Sequence, residues 1–403
     1  GPAPGAPTGV SGPLEGLRVL DLGTRIAAPF CAGLLGEQGA EVVKIEQPGA
    51  GDFMREIPPL DEGYSLFWAV EGRGRKSVTL DLRQPDGQAL LRRLAETADV
   101  LVENFRPGTL EKWNIAPDAL PDRLVTVRIS SFGQDGPNSA RPGLDRVGIG
   151  FGGLMHLTGY PDRPPVRVGV TISDYLTGIF TAHAATAALY ERDAKGTGQG
   201  AVIDAALYGA SLRILEWTLP AYDRLGLVRS REGNRLANSA PLDNYPTGDG
   251  KYVCIVAGSD ANFARLCSAM ERPDLPTDAR YDTLAKRAGL SDEINGVVAD
   301  WTVTLSSDEV VERCVAADVP VATAFTAADL FADPHVAARG DLVTVDDPVA
   351  GPIRQQAPYP RRVGEVPEAP TGAPTLGQHT TEVLTELGLD DAELTRLADA
   401  GII

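Results

Sequence analysis

The sequence is poor in the residues that announce metal or redox chemistry. Four cysteines (Cys31, Cys254, Cys267, Cys314) and four histidines (His156, His183, His335, His379) are scattered over 403 residues, with no C-x-x-C pair. Such spacing argues against a structural zinc or a disulfide framework and makes a reducing cytoplasm the expected compartment. Long apolar runs are missing too, none approaching the roughly 18–20 residues that a membrane helix needs. The opening GPAPGAPTGVSGP lacks both a basic stretch and an apolar core, so it does not read as a signal peptide. Positive charge is in short supply, 37 basic against 55 acidic side chains for a net −18. That balance speaks against nucleic acid or an anionic membrane surface as the main partner.

What is present is an ordinary globular composition, 43% hydrophobic and 23% charged, in a chain long enough for two or three domains. Residues 17–22 (LRVLDL) read as a short buried strand. An Ala/Gly/Leu-rich helix at 29–38 follows, and then a second strand, GAEVVKIEQP. The pattern repeats with SVTLDL (77–82), a helix over 85–97, DVLVENF (99–105) and a strand at 124–130. Strand–helix–strand units at this spacing predict an α/β, doubly wound parallel sheet. Residues 131–164 read as a Gly- and Pro-rich loop, PVRVGVTI (165–172) as a strand, and 178–192 as an Ala-rich buried helix. After KGTGQG (195–200) come the strand VIDAAL and a long helix to about Trp217. A separate unit starts at 251 with KYVCIVAG. The prolines of 341–375 mark a long surface connection, and two helices close the chain, the last capped by Asp390 or Asp391 and stopped by Gly401.

Several motifs invite a chemical reading. GIGFGG (148–153) matches G-x-G-x-x-G, with Asp174 some 20 residues on, but a polar loop precedes it where a dinucleotide site needs a buried strand. GTGQG (196–200) sits where glycines end helices. RGRK (73–76) is a basic run in an acidic chain, either a solvated surface or an attractant for a polyanionic ligand. Asp174 lies where the chain leaves a strand for a helix, a place where ligand groups gather in open α/β sheets. Local sequence favours a helix N-cap there, with a base or nucleophile as the alternative.

In series, LEGLRVLDLGTRIAAP, LGEQGAEVVKIEQPGAGDFMR, KSVTLDLRQPDG, ADVLVENFRPG, SFGQDGP, the Asp174 junction, ERDAKGTGQGAVIDAAL and LGQHTTEVLTELGL resemble the class III CoA-transferases over nearly the whole chain. That family also contains formyl-CoA and carnitine CoA-transferases and the α-methylacyl-CoA racemases. The resemblance implies a Rossmann-like large domain built from both chain ends, a smaller α+β domain, and an interlocked homodimer. In this numbering the large domain takes 11–220, a linker 221–250, the small domain 251–330, and 331–403 returns to the large domain.

By the same resemblance Asp174 is the catalytic nucleophile and Asp145 a second catalytic carboxylate. Coenzyme A enters as the acyl-CoA substrate, with no metal, and the second substrate is a small carboxylic acid. CoA contacts carry over to Ile26, Ala27, Gln47, Leu80, Arg83, Asn104, Phe105, Arg106 and Lys112, with Arg83, Arg106 and Lys112 as the phosphate partners. There are departures. Ile26 stands where formyl-CoA transferase has glutamine, Gln47 replaces a basic residue, and GNRLANSAPLDNYP replaces the Gly-rich flap. These argue against formyl-CoA and oxalate. The racemase branch needs a histidine before its aspartate, and here the pair is Leu144-Asp145. Without that second base, epimerisation at an α-carbon is the weaker alternative to CoA transfer. Arg25, Arg141, Arg146 and Arg235 are further candidates for binding a dicarboxylate.

Overall fold

The structure, a computed structural model, describes residues 10–366 and 368–403; the first nine residues of the Gly- and Pro-rich opening, and Pro367 of the Pro-rich connection, lie outside them. The chain divides into two compact units. The first takes both ends of the chain, up to Met155, then Arg167–Pro220 and His335–Ile403; the second takes His156–Val166 and Ala221–Pro334.

In the first unit, six parallel strands form one sheet: β1 (Arg18–Asp21), β2 (Glu41–Glu46), β3 (Lys76–Thr79), β4 (Val100–Glu103), β5 (Val125–Ser130) and β6 (Val202–Ala206). Their order across the sheet is β3-β2-β1-β4-β5-β6. This doubly wound order reverses direction between β1 and β4, which opens a crevice at the carboxyl ends of those strands. The central strands are buried on both faces, which explains their near-continuous Val/Leu/Ile runs.

One face packs on α1 (Ala27–Gly36) and, further along the chain, on the long helix α4 (Ile172–Asp193), through Val19, Val102, Val127, Cys31, Leu35, Ala185 and Leu189. The other face packs on α2 (Pro85–Glu96) and the closing helices α5 (Thr380–Glu386) and α6 (Asp391–Asp399), through Leu20, Val43, Leu101, Leu91, Leu94, Val383 and Leu397. Asp390 caps α6 in a reciprocal box with Glu393, and the helix stops before Gly401 at φ +68°. The Pro-rich return contains an antiparallel hairpin, Leu342–Asp347 with Gly351–Gln356. The second unit holds an antiparallel sheet of Leu242–Pro246, Tyr252–Val256 and Val321–Thr323 under helices that bury Phe263, Leu266, Val298 and Val310.

Four local readings need correction. Residues 165–172 form no strand. Val166 and Val170 are exposed, and the stretch pairs with no strand of the six-stranded sheet. Helix α4 starts at Ile172 instead of 178. The stretch read as loop over 131–164 holds a helix, α3 (Asp145–Phe151), and a shorter one at Leu154–Leu157, while the helix expected to reach Trp217 ends at Arg213.

The glycines of GIGFGG therefore serve helix packing. A Cβ on Gly148 would meet Ser173 Oγ at 2.7 Å and Leu207 Cβ at 3.0 Å, and one on Gly152 would meet the Tyr208 carbonyl at 2.5 Å. RGRK is neither a solvated run nor a free basic patch. Arg75 and Lys76 are buried, Arg75 on Asp21 and Lys76 between Glu41 and Glu382, and Arg73 pairs with Glu37.

Candidate active site

The crevice between β1 and β4 is lined by two loops, 22–26 after β1 and 104–107 after β4, that are tied together by one side chain. Asn104 accepts the Thr24 backbone N–H at 2.9 Å and donates to the Thr24 carbonyl at 2.8 Å. Both ends of its amide are thus committed to shaping the crevice. Beneath it lies a buried charge network. Lys44 Nζ donates to the Gly23 carbonyl at 2.8 Å and lies 2.9 Å from Asp52 and 3.4 Å from Asp21. Glu46 accepts both Arg55 Nε at 2.8 Å and the Asp52 N–H at 2.9 Å. Such a network is costly to bury and tolerable only when every charge is paired. Asp52 in turn accepts the Arg25 backbone N–H at 3.1 Å and holds that residue at φ +66°, in the left-handed region.

Asp174 reaches the same cleft from α4. It lies in the first helical turn, where the N-cap is Thr171, so the N-cap reading of Asp174 does not hold. The Thr171 hydroxyl is buried and makes no hydrogen bond among the described residues. Capping comes instead from Asp145, whose Oδ1 accepts the Ser173 backbone N–H at 2.8 Å, so the N-termini of α3 and α4 are locked together. Gly178 allows α1 to approach closely, since a Cβ there would meet Phe30 at 2.9 Å and the Ala27 carbonyl at 3.1 Å. On the next position, the Tyr175 hydroxyl donates to the buried Glu71 at 2.8 Å. Held this way, the Asp174 carboxylate makes no hydrogen bond among the described residues. Burial pushes it up to about 7, the nearby Asp145 adds to the rise, and Arg25 opposes it.

A cleft of about 980 Å³ brings together Ile26, Asn104, Phe105, Arg106, Asp145 and Asp174. A recess of about 100 Å³ shares Thr24 and Phe105 with it and is lined by Gln47 and Leu80 as well. Ala27, Arg83 and Lys112 line neither. Ala27 is the buried first residue of α1; Arg83 and Lys112 are exposed, each next in sequence to a recess residue, Leu82 or Trp113. Arg83 pairs with Asp81 at 2.9 Å. Of the four other arginines singled out, Arg25, Arg141 and Arg146 line the cleft. Arg235 belongs to the second unit, where it pairs with Asp243 and Asp292.

Sequence reading missed Thr24, Thr171 and Arg167 in the cleft wall. Thr24 lies within a recognised motif and was within reach; Arg167 and Thr171 lay in a stretch misread as strand. The wall thus carries five arginines against two carboxylates, the reverse of the chain's overall charge. An ionisable carboxylate free of hydrogen bonds, in a half-dry cationic cleft, is equipped for nucleophilic attack on an ester or thioester of an anionic ligand.

The sheet order and the cleft at its strand ends define an open α/β protein with a ligand site at the topological switch point, and comparison with known proteins narrows it. The sequence model described as CoA-transferase family III matches residues 14–380. The chain is 41% identical, over 97% of its length and 98% of the relative's, to the succinyl-CoA–D-citramalate CoA-transferase of Chloroflexus aurantiacus. It is 41% identical, over the same shares, to the beta subunit of that organism's succinyl-CoA–L-malate CoA-transferase. To the succinyl-CoA:mesaconate CoA-transferase of Haloarcula hispanica it is 36% identical over 94% of this chain and 97% of that one. Among solved structures, a CAIB/BAIF family protein from Brucella suis superposes with a TM-score of 0.83 at 32% identity, covering 93% of this chain and 99% of the other. The chain belongs to CoA-transferase family III. It is a CoA-transferase, and no helix among the described residues is long and apolar enough to cross a membrane.

Proposed function

We propose that this enzyme moves CoA from succinyl-CoA to a small dicarboxylic acid, with Asp174 as the nucleophile. The observation that carries the reading is the Asp174 carboxylate itself, half-buried and without a hydrogen bond in a cleft walled by five arginines. Attack of that carboxylate on the donor's thioester carbon expels CoA thiolate and leaves a mixed anhydride. The thiolate then attacks the Asp174 acyl carbon, which releases the donor acid as its carboxylate and leaves an aspartyl-CoA thioester. The acceptor carboxylate attacks that thioester, the thiolate departs, and its return to the acceptor's acyl carbon yields the new acyl-CoA and restores Asp174. No proton is consumed in any step. A shielded site that keeps the thiolate close is therefore the main requirement.

CoA lies along the recess and the β1–β4 crevice on Ile26, Gln47, Leu80, Asn104 and Phe105, with the backbone of Ala27 at the start of α1 and with Arg83, Arg106 and Lys112 toward its phosphates. Asn104 acts there by shaping the wall. Asp145 aligns the first turn of α4 and keeps the Asp174 carboxyl basic, a supporting role in place of direct attack. The relatives' names pair a succinyl donor with D-citramalate, L-malate or mesaconate, and the cationic wall suits acids of that class. Histidine is absent from the cleft wall and Leu144 stands before Asp145, which supports transfer over epimerisation.

The enzyme works as an interlocked homodimer in the cytoplasm. Supporting the dimer, Ile179, Phe180 and Tyr190 leave large apolar side chains exposed on α4. Incubation with succinyl-CoA and hydroxylamine tests the chemistry: a hydroxamate forms on Asp174, and Asp174→Ala loses it together with transfer to every acid of a dicarboxylate panel. Transfer retained by Asp174→Ala refutes the assignment, and α-proton exchange in deuterated water without an acceptor acid favours epimerisation.

A further inference from the structure

The five arginines of the cleft wall, Arg25, Arg106, Arg141, Arg146 and Arg167, make no ion pair with any described residue, in a chain with 55 acidic side chains. Arg25 differs from the other four in two respects. Its charge reaches Asp174, and its backbone is held in a conformation that a non-glycine residue seldom adopts. That conformation is fixed from two sides, by Asp52 on the Arg25 N–H and by Asn104 on both polar groups of Thr24. Asp52 is itself anchored on the buried Lys44. The guanidinium stacks over the Phe53 ring, 4.5 Å from its centroid, and makes no ion pair at salt-bridge distance among the described residues. Nothing in the packing of the fold requires so constrained a cation beside the nucleophile.

We propose that Arg25 binds the reacting carboxylate of the acid substrate during the interval in which Asp174 is held as its CoA thioester. The proposal rests on the transfer reading above and follows from its charges. In the resting cleft Asp174 carries one negative charge and Arg25 answers it. When the thiolate attacks the Asp174 acyl carbon and the anhydride C–O bond breaks, that charge leaves on the donor carboxylate and Asp174 becomes neutral. Arg25 then faces the outgoing acid, and after it the incoming one.

Covalent loading of Asp174 thus converts a cleft that repels the acid at this point into one that receives it. Asp145 on α3 repels anions throughout, and Arg106, Arg141, Arg146 and Arg167 are left for the rest of the ligands. Because Arg25 reads the carboxylate that reacts, monocarboxylates and dicarboxylates depend on it alike.

Calorimetric binding of succinate and of butyrate to the full-length protein at about pH 8 tests this, with Asp174→Asn as the neutral stand-in for the thioester. Removing a like charge within a few ångströms in a half-dry site predicts about tenfold or tighter binding of both acids to Asp174→Asn than to the wild type. Arg25→Gln added to Asp174→Asn abolishes that gain, and Arg25→Lys, which keeps the charge, retains most of it and covers the case of a Gln variant that does not fold. Equal affinity of wild type and Asp174→Asn overturns the proposal, as does a gain that survives Arg25→Gln. A gain seen with succinate alone also overturns it, by assigning Arg25 to a remote carboxylate. Hydroxamate trapping on the wild type reports separately on the transfer reading, so the two can fail independently.

Discussion

Replacing Asp174 by Asn should make the protein more stable in a way that depends on pH. The carboxyl of Asp174 is raised from 3.8 to about 7 by burial and by Asp145. A raised carboxylate means that, between those two values, the folded chain holds a proton the unfolded chain has lost. Stability therefore falls as pH rises from about 4 to about 7, and above that the full cost of a buried ionised carboxylate is carried. About three pH units at ~1.36 kcal/mol each set a ceiling of ~4 kcal/mol. The cleft opens to water, which relaxes around the charge, so ~1–3 kcal/mol is the expected gain for the isosteric neutral residue at about pH 8. Denaturation midpoints of wild type and Asp174→Asn, compared at about pH 8 and about pH 4.5, measure it. The variant should gain at the higher pH and show little difference at the lower, where wild-type Asp174 is protonated in the folded state. An equal gain at both pH values, or none at about pH 8, refutes the claim that the fold strains this carboxylate for use as a nucleophile.

Other outcomes follow from the same geometry. Asp145→Asn keeps an acceptor for the Ser173 N–H but removes a negative charge, so the acid limb of the transfer rate should move to lower pH; an unmoved limb would deny Asp145 any electrostatic role. Gly148→Ala drives a Cβ into Ser173 and Leu207 and displaces the adjacent Asp174, so kcat should fall on the order of 100-fold with a smaller effect on KM. Lys44→Met strips the buried counter-charge from Asp21 and Asp52 and should destabilise the first unit by about 3–5 kcal/mol, read by chemical denaturation.

Much of the fold was legible because local pattern and tertiary burial agree there. The buried parallel strands appear as apolar runs, and the last helix carries its cap and stop, Asp390 and Gly401, in sequence. Where the two disagree, reading failed. PVRVGVTI carries the β-branched residues of a buried strand, yet here it joins no sheet and Val166 and Val170 stay exposed, because propensity yields a strand only where tertiary packing supplies a partner. RGRK looks like surface because sequence shows the charge but hides the partners, Asp21, Glu41 and Glu382, that lie far away in the chain. GIGFGG, rightly set aside as a dinucleotide motif, was still taken for a loop, because glycine marks close approach of any kind, here of helix to helix.

The sequence alone determined an acidic α/β protein with a carboxylate at position 174 worth attention and, through a long ordered series of motifs, a family. It could not determine what that carboxylate is for, since an N-cap and a nucleophile look alike in one dimension. The tertiary structure decided the capping question, by giving that duty to Asp145 and leaving Asp174 without a hydrogen bond among the described residues. The net −18 of the chain likewise predicts an acidic surface, while the cleft is walled by arginines from five separate positions between residues 25 and 167. Charge at a site is set by which side chains converge in space, and Coulomb energy depends on that separation and not on the sum along the chain.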